Sequence, residues 1–308
     1  MISVVIPLYN KEEFIEKTLR SVLEQTMDAF EVIIVNDGST DNSVKRIEAL
    51  QDSRIRLLQI QHSGVSIARN RGIKVAKYSW IAFLDADDWW APDFLKEVSL
   101  AMEQFPNQKI FATGRTTVYE NKEVRYENTF LPNEGVLGLV NYYEFMGHYL
   151  LPPINSSCAV ISKTLLEEIG MFHEKQELHE DHDLWLRICN NKLIVYINKN
   201  LSFYRKDRKE GRNYDSKNFL IYLETLKTLK NTSSKTNKYW LLLYANKFIL
   251  LTFIKYSSSY SINEKKSIIQ ASRSLLKPWF RFTLIILSKL PFNGYTFLKK
   301  IRRYGYKA

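Results

Sequence analysis

The sequence predicts an α/β fold, a mostly parallel sheet with flanking helices, followed by a basic α-helical C-terminal region. Three observations predict it. The first hundred residues alternate apolar β-rich runs with segments of helical period. The composition is that of a folded chain, with 45% hydrophobic residues and only 11 Gly and 8 Pro in 308. The charge also splits near residue 206: 22 Lys and Arg stand against 28 acids before it, a net −6, and 22 against 5 after it, a net +17.

Each element follows from its own residues. SVVIPLY, from Ser3, is a buried strand, and EEFIEKTLRSVLEQ places Ile15, Leu19, Val22 and Leu23 on one helical face. EVIIVND is a second strand, and VKRIEAL sets Val44, Ile47 and Leu50 on a helical stripe. IRLLQI is a third strand, SIARNRGIKVAKY a short helix, and WIAFLDAD a fourth strand. FLKEVSLAMEQF is helical through Phe94, Leu95, Val98, Met102 and Phe105. From about residue 107 the pattern loosens through KIFATGRTTVYE, NYYEFMGHYLL and SSCAVIS. HEDHDLWLRICNN then opens a helix with acids, and LIVYI and LSFYR read as two short strands. The domains expected are 1–205, divided into a nucleotide-binding half (1–106) and an acceptor and catalytic half (107–205), and a basic aromatic helical region, 206–308.

Two cysteines, Cys158 and Cys189, make neither a disulfide framework nor a metal-ligand spacing, so a reducing cytoplasm is expected. MISVVIPLYNKEEF lacks a basic n-region and a small-residue cleavage site, so no signal peptide is read. No window holds 18 uninterrupted apolar residues.

In a parallel sheet ligands bind beyond the carboxyl ends of the strands. Three such ends carry Tyr9-Asn10, Asp37-Gly38 and the acids of FLDADDWWAP. Asp37 with Gly38 can simply shape a turn. At a converging strand end its carboxylate, which only accepts hydrogen bonds, suits the ring N–H of uracil or guanine and rejects the bare ring nitrogen of cytosine, so it would accept uridine and reject cytidine. Asp85, Asp87 and Asp88 can form a solvated loop, a phosphatase nucleophile loop (Trp89 stands where that motif has Thr or Val), or a seat for a divalent cation shared with substrate phosphates.

SVVIPLYN, VNDGSTDNS, GVSIARNRG, FLDADDWWAPDFL and EDHDLWLR occur in this order, and with them the chain resembles the family-two inverting glycosyltransferases of the GT-A fold over roughly residues 1–205. The resemblance implies that Pro7, Tyr9, Asp37, Arg69 and Asp85 bind the nucleotide sugar: Asp37 at the uracil with Tyr9 against it, Arg69 at the diphosphate, Asp85 on the ribose side. It implies that Asp87 holds Mn²⁺ or Mg²⁺ and that Asp181 is the catalytic base, with Asp88, Glu180, Trp185 and Arg205 as accessory candidates. The second motif has Asn36 where the family often has an acid, and Tyr204-Arg205 is not followed by the family's His. No Q-x-x-R-W occurs, which argues against a processive synthase.

The expected activity is therefore transfer of one sugar from a UDP-sugar to a hydroxyl of a saccharide or lipid-linked saccharide, in surface-polysaccharide assembly. Like-charge neighbours Glu180 and Asp183 are expected to raise the Asp181 pKa. Trp185 either stacks on an acceptor sugar or packs in the core. The tail is expected to dock on an anionic membrane surface, which would place the protein on the inner face of the cell membrane; alternatively its apolar faces pack on the catalytic domain or form a homodimer. No nucleic-acid fold motif is visible. The competing reading is a basic membrane- or nucleic-acid-binding protein carrying a degenerate transferase domain.

Overall fold

The structure, a computed structural model, describes residues 1–206 and 215–289. They fall into two compact units, 1–142 with 153–211, and 143–152 with 212–308. Residues 143–152, inside the expected acceptor half, thus cluster with the second unit.

The first unit begins with β1 (Ile2–Leu8), α1 (Ile15–Leu23), β2 (Phe30–Asp37), α2 (Ser43–Glu48), β3 (Ile55–Ile60), α3 (Val65–Val75) and β4 (Trp80–Phe83). These strands pair in parallel in the order β3-β2-β1-β4. Their continuous Val/Ile runs suit a sheet buried on both faces. The alternate residues Val4, Ile6 and Leu8 of β1 pack with Ile15, Leu19 and Val22 of α1 in one core. On the opposite face α3 comes so close that a Cβ on Gly72 would sit 2.4 Å from Val5 Cγ1, so only glycine fits there. Strand order reverses at β1: the chain runs outward to β2 and β3, then returns to place β4 on the other side. A crevice forms at such a switch point, beyond the carboxyl ends of the strands.

The chain continues through β5 (Trp89–Trp90), α4 (Phe94–Gln104), β6 (Ile110–Tyr119), β7 (Lys122–Arg125), β8 (Leu137–Val140), α5 (Tyr142–His148), β9 (Ala159–Ser162), α6 (Lys163–Ile169), α7 (Glu180–Ile188) and β10 (Ile194–Arg205). The ten-stranded sheet extends past β4 as β9-β6-β10-β5, with β7 on β6 and β8 on β10. Here the direction is mixed. β9 runs antiparallel to both β4 and β6, while β6 and β10 are parallel. A two-residue turn joins β6 to β7, and strands so joined can only pair antiparallel. The two strands expected in LIVYI and LSFYR are one, β10, whose register shifts around Asn200 and absorbs the polar residues between them.

In the second unit the helices are α8 (Ser216–Thr232), α9 (Lys235–Tyr256), α10 (Ile262–Ser272) and α11 (Pro278–Lys289). Side-chain caps begin three of them: Asp215 accepts from the Asn218 amide, Ser234 from Asn237, and Ser261 forms a capping box with Glu264. Phe219, Tyr222, Leu223 and Leu226 of α8 and Leu241, Tyr244 and Ile249 of α9 are buried, and the Tyr222 and Tyr244 hydroxyls meet at 2.7 Å. Among the described residues no helix is long and apolar enough to cross a membrane. The end of the basic tail, 290–308, with the LKKIRR stretch, lies outside the described residues.

Candidate active site

The carboxyl ends of β1, β2 and β4 are neighbours, because Leu8 is in register with Asn36 and Val5 with Phe83. Their loops are laced together. Asn10 donates its amide to Ser39 Oγ at 3.0 Å and accepts from the Thr40 amide at 2.8 Å. The buried Asp37 carboxylate accepts the Ser63 amide (2.7 Å) and the Gly64 amide (2.9 Å), one on each oxygen. It therefore orders the turn after β3, and its Oδ2 also lies 3.1 Å from His62 Nδ1. Gly38 has φ +72°, and a Cβ there would lie 3.1 Å from the His62 amide nitrogen. His62 in turn stacks on the half-exposed Tyr9 at 4.2 Å. Pro7 lies within β1, in register with Val35.

The acids after β4 have three different fates. Asp88 is fully buried. It accepts the Arg205 amide at 2.8 Å and the Ser157 hydroxyl, so it braces β10 and the turn before β9 against the loop. Burial, then the charges of Asp85 and Asp87, hold its pKa well above the usual carboxylate range. Asp87 meets the Lys11 ammonium at 2.7 Å; burial raises its pKa and Lys11 opposes the rise. Asp85, the most open of the three, accepts Arg69 Nη2 at 2.7 Å. The Arg205 guanidinium lies over Phe14 (4.6 Å) and Trp89 (5.4 Å).

GVSIARNRG forms α3 and explains how a distant helix reaches this edge. Ser66 donates to the Gln176 carbonyl (3.1 Å), and Asn70 exchanges two hydrogen bonds with the Phe172 backbone (2.9 and 3.0 Å). Arg69, only 3% exposed, donates Nη1 to Glu180 at 3.1 Å while holding Asp85. Burial lowers the Arg69 pKa, and its two carboxylates raise it further than burial lowers it. Arg69 therefore ties the first turn of α7 to the acid loop.

The three acids of that first turn are held differently. Glu180 is bound to Arg69. Asp183 is fully buried and gripped by Arg187 at 2.6 Å, whose guanidinium also caps the Ile169 and Met171 carbonyls. Asp181 is partly exposed and accepts the His182 amide at 2.7 Å. The expected rise in its pKa falls on its neighbour instead. Glu180 is pushed up to about 7, by burial first and then by Asp181. At Asp181 burial also raises the pKa, but His182, Arg69 and His179 outweigh it and hold the carboxyl below its ordinary value. Asp181 is thus ionised at neutral pH. Trp185 is fully buried, which makes it a core residue and removes the sugar-stacking alternative.

Lys11, Ser157 and His62 join the cluster, and sequence reasoning missed all three. Lys11 carried a signal, since it directly follows the Tyr9-Asn10 strand end.

A family model, glycosyl transferase family 2, matches residues 3–170. The chain belongs to that family. An uncharacterized glycosyltransferase of Rickettsia bellii is 32% identical over 210 residues, 66% of this chain and 28% of the relative. Chondroitin synthase of Pasteurella multocida is 30% identical over 202 residues, 65% of this chain and 20% of the relative. The alignments thus span about a third or less of these longer relatives. Among solved structures, S. aureus TarS 1-349 in complex with UDP-GlcNAc superposes with a TM-score of 0.78 at 20% identity, covering 100% of this chain and 93% of that one. This likeness is one of fold, and it bears out the GT-A-type α/β architecture with helices at the C-terminal end.

Proposed function

We propose that the chain transfers one sugar from a UDP-sugar to a hydroxyl of a saccharide or lipid-linked saccharide, in a single inverting, non-processive displacement. The observation that carries this reading is the meeting of Asp37, Asp85, Asp87, Arg69 and the acidic first turn of α7 at one edge of the sheet. Asp37 accepts the uracil ring N–H, and Pro7 and Tyr9 line the base. Asp181 takes the proton of the acceptor hydroxyl. Its depressed pKa weakens it as a base but keeps it charged, and one base facing one reacting carbon implies inversion. Glu180, Asp88 and Arg205 position the loop and helix that carry Asp85, Asp87 and Asp181.

The donor set fits a hard divalent ion. Asp85 and Asp87 offer carboxylate oxygens, and each already draws a cationic side chain to within 2.7 Å. Among the described residues no group of three or more His, Cys, Asp or Glu could hold a metal ion by itself. Asp87 would therefore hold Mn²⁺ or Mg²⁺ together with the phosphates of the donor. When bound, such an ion supplies charge neutralisation for departing UDP. The TarS structure in complex with UDP-GlcNAc agrees with a UDP-sugar donor. We place the protein on the inner face of the cell membrane, with its basic helices toward anionic lipid and its site supplied with a lipid-linked acceptor.

The test is UDP release from a panel of UDP-sugars with saccharide acceptors. Wild type is expected to release UDP with at least one donor. Asp181→Asn is expected to lose roughly 10²–10⁴ in turnover while UDP still raises its melting temperature. Near-normal turnover in that variant would place the base elsewhere.

A further inference from the structure

α11 presents an apolar face that is exposed among the described residues. Trp279, Phe282, Ile285 and Ile286 are exposed, Trp279 by 59% and Phe282 by 65%. At 100° per residue these four side chains span about 120° of the helix. Leu284, on the opposite side, is fully buried. The helix is thus seated by one face and open on the other. Its seating is specific: the Lys277 amide donates to Asn246 Oδ1 at 2.9 Å, Asn246 Nδ2 donates to the Leu275 carbonyl at 3.1 Å, and Arg281 donates to the Arg273 carbonyl at 2.9 Å. Four large apolar side chains side by side in water form the kind of patch that monomeric proteins rarely leave without a partner.

Charge decides which partner. From Lys265 onward the sequence carries eleven lysines and arginines and no acid. Lys266, Arg273 and Lys277, on α10 and in the turn leading to α11, are exposed. A second copy docking through the same face would bring like charge against like charge. An anionic lipid surface instead complements the cations and takes the apolar stripe into its acyl boundary. α11 has twelve residues, too few to span a bilayer but suited to lying in its interface. A tryptophan at the edge of the stripe belongs at the headgroup level.

We infer that the Trp279–Phe282–Ile285–Ile286 face of α11 is an interfacial membrane-docking surface, selective for anionic lipid. The inference deepens the membrane placement proposed above and is independent of which sugar is transferred. Each basic residue near such a surface strengthens binding about fivefold, so binding falls steeply with salt.

The experiment uses the full chain with phosphatidylglycerol/phosphatidylcholine vesicles and pure phosphatidylcholine vesicles in a flotation assay. Wild type should float with the anionic vesicles only and be released at about 0.5 M salt. The Trp279→Ser, Phe282→Ser, Ile286→Ser triple variant should lose about tenfold or more in partitioning. Because these side chains are exposed, its melting temperature and its stabilisation by UDP should stay at wild-type values. Brominated lipid should quench part of the wild-type tryptophan emission, and Trp279→Phe should remove that part. Equal flotation of wild type and triple variant, or no flotation at low salt, overturns the inference. So does a wild-type dimer, seen by light scattering, that the triple variant abolishes without any lipid binding. Loss of UDP stabilisation in wild type would instead refute the donor reading and leave the docking surface standing.

Discussion

Replacing Glu180 by glutamine should change how stability depends on pH, by an amount the site itself sets. Glu180 is buried at the first turn of α7, and its pKa stands at about 7 against an ordinary 4.5. A folded-state value above the unfolded one means that folding favours the protonated acid. The stability linked to this group is complete below about pH 4.5 and is lost as pH rises through about 7. At 1.36 kcal/mol per unit, the loss approaches roughly 3 kcal/mol at alkaline pH. Glutamine keeps the shape and a hydrogen-bonding oxygen for Arg69 but cannot ionise. The assay is the melting temperature of wild type and Glu180→Gln from pH 5 to 8.5. About 2.5 kcal/mol of that change falls between pH 5 and 8.5, so the variant should gain on wild type by about 5–10 °C across that range, at 2–4 °C per kcal/mol for a chain of this size class. Parallel profiles would mean that Glu180 is ionised throughout and that Arg69 fully compensates both of its carboxylates.

Two further predictions concern the nucleotide and the sheet. UDP should raise the melting temperature and CDP should not, because a buried Asp37 carboxylate facing the bare cytosine nitrogen is left unpaired; equal shifts measured side by side would remove the uracil contact. Gly72→Ala should cost about 1–3 kcal/mol in a denaturant melt, since the added methyl meets Val5 at 2.4 Å between α3 and the central strand; an unchanged midpoint would show that helix and sheet are not packed as described.

The first hundred residues were legible because their rules are local. Each of β1 to β4 announces itself as a short apolar run and each intervening helix by its period, whereas the strand order that reverses at β1 appears only in the fold. The second half depends on non-local pairing. Nothing in AVIS says that β9 will run antiparallel between β4 and β6, and the polar Asn198, Lys199 and Asn200 read as a break although β10 passes through them on a bulge. Asp37, Asp85, Asp87 and Asp181 could be singled out from strand ends and motif order, but their partners could not. The Arg69 link to Glu180 spans 111 residues and the Lys11 link to Asp87 spans 76, so only the folded chain shows them. The pKa of Asp181 went against expectation for the same reason: His182, the buried Arg69 and His179, brought together by the fold, outweigh its burial.

The acids after β4 are proposed to bind a donor diphosphate through a divalent ion. Calorimetric titration of UDP into wild type and Asp87→Asn, each with Mn²⁺ and with EDTA, tests it most directly. Wild type should bind UDP about tenfold or more tightly with Mn²⁺, and Asp87→Asn, with Ser157, Asp88 and the rest of the loop intact, should lose this metal effect. Equal UDP affinity in Mn²⁺ and in EDTA for the wild-type protein would contradict it.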